Sequence, residues 1–353
     1  MNQDEQLLHD LVAIPSLSGQ EGAAAAFLVG ALAARGWRSH VDEAGNAVGV
    51  RECPTADGAI EQEILLLGHI DTVPGAIPVA LRDGKLYGRG SVDAKGSLAA
   101  FVAAGSQVAL QPGQRLVVVG AVEEEAATSK GARQVARDYR PDFCLIGEPS
   151  GADALTLGYK GRVLLDYRLR QPAGHSAGPL TGAPEIGVRF WHQIQSYADN
   201  FNEGHEKLFD QLLPSLRQIH SSSDGLTDEV LLTIGLRLPP DFQPEPFLTQ
   251  ARRWAEPAEL TAYAYEPAYA GDRQNQLVRA FAAAWREQGL RPRYKLKTGT
   301  ADMNVVAQIW DCPIVAYGPG DSQLDHTPDE HLPLAEYHAA IQQLVRVLPK
   351  LRG

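Results

Sequence analysis

A chain of 353 residues with 44% hydrophobic and 21% charged residues is long enough for one large or two unequal α/β domains, and its composition excludes a disordered or fibrous protein. The formal net charge of −11 argues against a broad nucleic-acid or anionic-membrane surface, because phosphate recruits basic faces. No uninterrupted apolar run of about 18 residues occurs and the start "MNQDEQLLHDL" is acidic, so a cytoplasmic chain without span or signal peptide is expected. The cysteines, Cys53, Cys144 and Cys312, form no CxxC pair; they suit a reducing compartment and leave any zinc to His and carboxylate ligands.

Apolar spacing predicts helices over "DEQLLHDLVAI" and "EGAAAAFLVGALAARG", the second closed by Gly36. Short aliphatic runs follow in "EILLLGHID", "RLVVVGAVEE" and "DFCLIGEP", and helix-like "KGSLAAFVAAGSQVAL" separates the first two. That alternation reads as βαβ units on a mostly parallel sheet. The rhythm then changes. "ALTLGYKGRVLLDYRLRQP" alternates like antiparallel strands, a long helical stretch follows, and "EVLLTIGLRLPP" and "ELTAYAYEP" add strands. After "YAGDRQN", the helical "QLVRAFAAAWREQG", the strand "CPIVAYGPG" and the helix "LAEYHAAIQQLVRVL" return to the earlier style. The expected architecture is α/β: a discontinuous domain over roughly residues 1–154 and 267–353, interrupted by a smaller α+β insert over roughly 155–266.

Polar residues gather in one kind of place. His69, Asp71, Glu123, Glu124, Glu125 and Glu148 all fall just past the C-terminal ends of predicted core strands, where open α/β sheets put their sites. One such carboxylate is most often a helix cap or loop residue, but several converging acids repel unless a cation lies between them. Asp93 stands in the glycine-rich turn of "YGRGSVDAKGSLAAF"; a phosphate loop is the rival reading, yet the spacing is neither GxxxxGK[ST] nor GxGxxG and Asp93 would repel an anion. "GEPSG" around Glu148 reads equally well as a plain turn. In "QLDHTPDEHLPLAEY", His326 before Thr-Pro is the better ligand candidate, whereas His331 flanks the helix start. His192, His205, His220 and His338 read as surface or packing residues.

Taken in order, "GHIDTVPG", "GRGSVDAKG", "EEE" with Gly131 six residues after Glu125, "GEPS", "AGHSAGP" and "DHTPDEH" resemble the motifs of the M20 metallopeptidase and deacylase family. The family includes acetylornithine deacetylase, succinyl-diaminopimelate desuccinylase and carboxypeptidase G-type enzymes. The resemblance implies a catalytic domain with two zinc ions, interrupted by a lid that forms a homodimer; cobalt or manganese also suits the ligand types. It implies His69 and Glu148 as ligands of one zinc, Asp93 as the bridge, and Glu125 and His326 as ligands of the other. Asp71 would fix the His69 ring, and Glu124 would be the general base that carries a proton from water to the leaving amine. Family members read Asp-Glu-Glu where this chain reads Glu123-Glu124-Glu125. Aligning Gly131 gives Glu124 the base role, and a one-residue slip would promote Glu123. In the insert, His175 resembles a lid histidine that stabilises the oxyanion in the partner's site, and Arg237 in "GLRLPP" resembles an arginine that holds a substrate carboxylate. Leu236 stands where relatives carry a polar residue, and the asparagine-proline lid element of many relatives is not found.

"YKGR", "AYAGDRQN" and "KTGTADMN" look most like the lysine- and ornithine-releasing members of the amino-group carrier pathway. That likeness implies cleavage of the amide between a lysine α-amino group and the γ-carboxyl of a carrier's C-terminal glutamate, in lysine and arginine biosynthesis. Arg273, Asn275, Thr300 and Asp302 become candidate substrate contacts. An acidic carrier facing a chain of −11 would need a basic mouth, with Lys160, Arg162, Lys295 and Lys297 as candidates. The alternatives are an N-acetylornithine or N-acetyllysine deacetylase, and a zinc dipeptidase or carboxypeptidase of the same family. A non-enzymatic binding module would be expected to lack the base or a ligand, and all are present.

Overall fold

The computed structural model describes residues 1–175 and 177–351, and its central strands form where apolar residues run unbroken. In chain order the strands are β1 Arg38–Val41, β2 Ala47–Cys53, β3 Gln62–His69, β4 Ala80–Arg82, β5 Lys85–Tyr87, β6 Gln114–Ala121, β7 Phe143–Gly147 and β8 Ala154–Tyr159. They continue with β9 Gly161–Pro172, β10 Leu213–Ser223, β11 Thr227–Leu238, β12 Glu259–Glu266, β13 Tyr269–Ala270, β14 Arg293–Lys297, β15 Ile314–Ala316 and β16 His331–Pro333.

Two compact units result. The first comprises residues 1–158, 271–296 and the chain from Ala301 onward. Its main sheet has the order β1-β2-β6-β3-β7-β15-β8-β13, with β14 paired to β8. The centre is parallel, β6 with β3, β3 with β7 and β7 with β15, while β1, β2 and β8 add antiparallel flanks. Leu66, Val118, Leu145 and Val315 in these strands pack with Leu98 and Phe101 of the helix Lys95–Gln107 in one fully buried core. A side chain buried this completely contributes roughly 1.5–3 kcal/mol. The helix comes close because glycines line up across the sheet: Gly68 pairs with Gly120 on one side and Gly147 on the other. A Cβ on Gly120 would stand 2.7 Å from side-chain atoms of Ile70 and Leu28. A smaller sheet, β16-β5-β4, completes this unit.

The second unit is Tyr159–Ala270 with Lys297–Thr300. Its sheet, β10-β11-β9-β12, is antiparallel throughout, and β9 registers on β11 from Gly161 opposite Leu238 to Pro172 opposite Thr227. One face, with Val163, Leu165, Tyr167, Val230, Leu232 and Ile234, packs on Phe190 and Ile194 of the helix Ala183–Asn202 and Phe247 of the helix Pro244–Ala255. The other carries Asp166, Arg168 and Thr233, the polar half of the alternation read in the sequence.

The unit boundaries differ from the expected ones in three places, the first being that the second unit runs on to Ala270. β8 joins the main sheet through β15 and β14, so the first unit runs on to Gly158. The segment Lys297–Thr300 goes with the second unit because Lys160 N–H donates to Lys297 O at 3.2 Å and the Thr300 hydroxyl donates to Lys160 O at 2.8 Å. Among the described residues no helix is long and apolar enough to cross a membrane.

Candidate metal centre

Because β3, β6 and β7 run parallel, their C-terminal ends share one edge of the sheet. His69 ends β3, Glu124 and Glu125 follow β6, and Glu148 follows β7. Asp93 lies two residues before the helix Lys95–Gln107, and His326 lies in the loop between β15 and β16. These side chains converge. His69 Nε2 is 3.3 Å from Asp93 Oδ1 and 3.8 Å from Glu148 Oε1. His326 Nε2 is 3.0 Å from Asp93 Oδ2 and 2.9 Å from Glu125 Oε1. Two donor triads therefore share Asp93, His69–Asp93–Glu148 and Asp93–Glu125–His326, each with its donor atoms within 4.8 Å of one another. Glu124 comes equally near His69 and Glu125.

Asp71 does more than accompany His69. Its carboxylate accepts from the backbone N–H of Glu124 at 3.1 Å, that of Glu125 at 3.0 Å and the Ser18 hydroxyl at 2.7 Å. His69 Nδ1 lies 3.0 Å from the Asp71 carbonyl oxygen and 3.4 Å from its Oδ1. A proton on Nδ1 leaves Nε2 as the free ligand atom. The acidic triplet divides. Glu123, in the left-handed region at φ 58°, accepts from the Thr128 hydroxyl at 2.5 Å, and its N–H donates to buried Glu21 at 3.1 Å. Asn46 supports the same turn: its Oδ1 accepts from Val122 N–H at 3.0 Å and its amide donates to Gly131 O at 3.2 Å. Gly131 is needed for that close approach, since a Cβ there would stand 2.4 Å from Asn46 Oδ1 and 2.5 Å from Val122 N.

Burial pushes the Glu124 carboxyl well above its ordinary range; the charges of Glu148, Glu125 and Asp302 add to this, and His69 opposes it. Burial also raises Glu125, with the Asp93 charge adding and the His326 hydrogen bond opposing. At Asp93 burial again acts upward, yet hydrogen bonds from His326 and His69 outweigh it and hold the carboxyl far below normal. His326 is pushed up to about 10 by hydrogen bonds to Asp93 and Glu125. For His69 burial acts downward but is overcome by Asp71 and Asp93, so it too is raised. The imidazoles thus hold protons between acids, a charge balance that a divalent cation would supply in their place. Paired imidazole and carboxylate donors, three to a group, fit zinc, cobalt or manganese.

The other sequence candidates each have their own surroundings. In the second unit, half-buried Arg237 donates from Nη1 to the Thr300 hydroxyl at 2.7 Å. Asn275 caps the helix Gln276–Glu287, accepting from Val278 N–H at 2.8 Å. Arg273 is exposed, its guanidinium 5.7 Å from the Tyr294 ring centroid. Asp302 is buried, and its charge reaches Glu124. His175 is exposed, with Nδ1 accepting from Ala177 N–H at 3.1 Å. Lys160 must be withdrawn as an entrance residue. It is fully buried, and its Nζ donates to the carbonyls of Leu208 at 3.0 Å, Phe209 at 2.8 Å and Gln211. Lys295, half-buried, donates to Ser150 O at 2.6 Å; Arg162 and Lys297 are also half-buried. Sequence reasoning missed Ser18, Glu21, Asn46 and Glu330, whose partners lie far along the chain.

A centre of this kind, set at the end of a parallel sheet with a further half-buried acid beside it, belongs to a metal-dependent hydrolase of amide bonds. Residues 65–350 match the model of peptidase family M20/M25/M40, and the chain belongs to that family. It is 49% identical to the LysW-lysine hydrolase of Deinococcus radiodurans over 359 residues, covering 99% of this chain and 97% of that protein. The LysW-lysine/LysW-ornithine hydrolase of Saccharolobus solfataricus is 27% identical over 292 residues, covering 82% of each. In fold, the M20 metallo-carboxypeptidase Sso-CP2 of Sulfolobus solfataricus matches with a TM-score of 0.78 at 16% identity, covering 99% of this chain and 100% of that one.

Proposed function

We propose that this chain releases lysine, and also ornithine, from the γ-carboxyl of the C-terminal glutamate of a LysW-like amino-group carrier. The observation that carries the substrate is the 49% identity to the Deinococcus radiodurans LysW-lysine hydrolase over nearly the whole of both chains. His69 and Glu148 would hold one zinc and Glu125 and His326 a second, with Asp93 common to the two donor sets. Metal ions held there would supply positive charge that acidifies water and offsets the charge developing on the carbonyl oxygen.

The chain's own residues do the rest. Glu124 accepts the proton and delivers it to the departing α-amino group, a task suited to a half-buried carboxyl whose affinity for protons is already raised. Asp71 keeps the His69 ring oriented and holds the backbone of Glu124 and Glu125. Arg237 receives the lysine α-carboxylate. His175, contributed by the lid of a partner subunit, meets the oxyanion. The homodimer is supported by β10, an eleven-residue edge strand with exposed Ile219, a kind of edge that proteins cover or pair.

A hydrolysis screen decides the substrate, using carrier-linked lysine, N-acetylornithine, N-acetyllysine, N-succinyl-diaminopimelate and dipeptides. Carrier-linked lysine should be cleaved with much the highest kcat/KM. Equal efficiency on N-acetylornithine would leave only a general amidohydrolase.

A further inference from the structure

His326 and Glu330 occupy one short loop, four residues apart, and only the first has a place in the reading so far. Glu330 is buried to 0% exposure, an unusual position for a carboxylate, and its bonds explain it. One oxygen accepts from Arg89 Nη1 at 2.6 Å. The other accepts from the backbone N–H of Val92 at 2.9 Å and that of Asp93 at 3.2 Å. Its own carbonyl accepts from Gly88 N–H at 3.3 Å, and Arg89 Nε in turn donates to Gly75 O at 3.1 Å. One carboxylate therefore joins the His326 loop directly to the peptide groups that carry Asp93.

We propose that Glu330, with Arg89 as its counter-ion, is a positioning residue that sets the spacing between Asp93 and His326 and thereby the affinity of the metal position they share with Glu125. This rests on the metal-centre reading above and extends it. The β16–β5 pairing brings the two segments together only as far as His331 opposite Tyr87, and the 3.0 Å separation of His326 from Asp93 needs a link that reaches beyond it. Glu330 supplies it. His69 and Glu148 are placed by β3 and β7, so of that triad only Asp93 depends on this link, whereas the other position takes both Asp93 and His326 from the linked segments, and the two metal positions should respond unequally.

The test is zinc titration of the full-length, metal-free chain in competition with a chromophoric chelator, for wild type, Glu330→Gln and Arg89→Lys. Glu330→Gln keeps an oxygen for the two N–H groups but loses the charge opposite Arg89. Its weaker zinc-binding step should fall by about 10–100-fold, the usual cost of losing an outer hydrogen-bonding partner of a ligand. The tighter step should change by less than about threefold, and Arg89→Lys, which keeps the charge but cannot reach both Glu330 and the Gly75 carbonyl, should lose less affinity than Glu330→Gln. Folding of each variant is read from circular dichroism before titration. If Glu330→Gln does not fold, Arg89→Gln takes its place with the same expected selective loss. Unchanged binding at both steps overturns the inference, and so does an equal loss at both, which would mark a general brace. A wild-type chain that takes up no zinc removes the metal reading and this inference with it; a wild type that takes up two, beside an unchanged variant, removes the inference alone.

Discussion

Neighbouring acids in this chain have different partners. Burial raises both Glu124 and Glu125, but only at Glu125 is it opposed by a hydrogen bond to His326. If Glu124 moves the proton, Glu124→Gln should keep the fold and the bound metal while losing about 10²–10⁴ of turnover. Glu125→Gln should instead lose metal. Metal analysis and steady-state rates on the two variants check this, and the reverse pattern would reassign the base. Thr300 offers a second residue-scale test. Its hydroxyl accepts from Arg237 and donates to Lys160 O, so it fits a role in fixing Arg237 better than one in touching substrate. Thr300→Val should cost roughly 1 kcal/mol, about fivefold in KM with kcat little changed, and Thr300→Ser should restore it. A fall in kcat with KM constant would reject that role. The side chains that converge at the candidate centre were legible in the sequence because they follow apolar strands or glycine turns at short range. Glu330 was not, since its partner Arg89 is 241 residues away and a buried acid looks no different from a surface one in sequence.

At the scale of elements, β3, β6 and β7 were readable because their burial leaves unbroken aliphatic runs. β10 was not: "LPSLRQIHSSS" is exposed along most of its length, so it shows no alternation to detect. β8 was read as a strand but assigned to the insert, because antiparallel pairing looks the same in either sheet until its partners, β15 and β14, are known. The turn after β6 shows how a single glycine serves the site. Gly131 N–H donates to Val122 O at 3.1 Å, and a methyl at Gly131 would press on the Val122 backbone and on Asn46. The Val122 atoms are backbone, and Asn46 Oδ1, though the end of a side chain, is buried and held by Val122 N–H, so the backbone carrying Glu124 and Glu125 would have to shift. Gly131→Ala should therefore destabilise the protein by about 1–3 kcal/mol in chemical denaturation and lower zinc affinity as well. A loss below about 0.5 kcal/mol, with zinc binding intact, would mean that the turn relaxes freely.

For the whole molecule, charge makes the sharpest demand. Asp93, Glu124, Glu125 and Glu148 crowd one edge of the sheet, so chelator dialysis should lower the melting temperature and zinc should restore it. Saturation at about 100 times Kd corresponds to about 2.7 kcal/mol, and an unchanged melting curve would contradict a metal held by these acids. The larger question is how a chain of net charge −11 would approach the acidic carrier proposed above. Uniformly spread, that charge would repel the substrate, so productive encounter requires a local excess of the 32 lysines and arginines where the carrier lands. With Lys160 buried, the half-buried Arg162, Lys295 and Lys297 remain as candidates, and each retains a formal charge that acts over a Debye length of about 8 Å at physiological salt. Raising the salt should then lower kcat/KM for carrier-linked lysine by on the order of tenfold, acting through association. A small acyl-lysine, which meets the site without the carrier's charge, should change by less than about twofold over the same range. Parallel salt profiles for the two substrates would defeat electrostatic docking of the carrier, because screening of the metal centre alone acts on both alike.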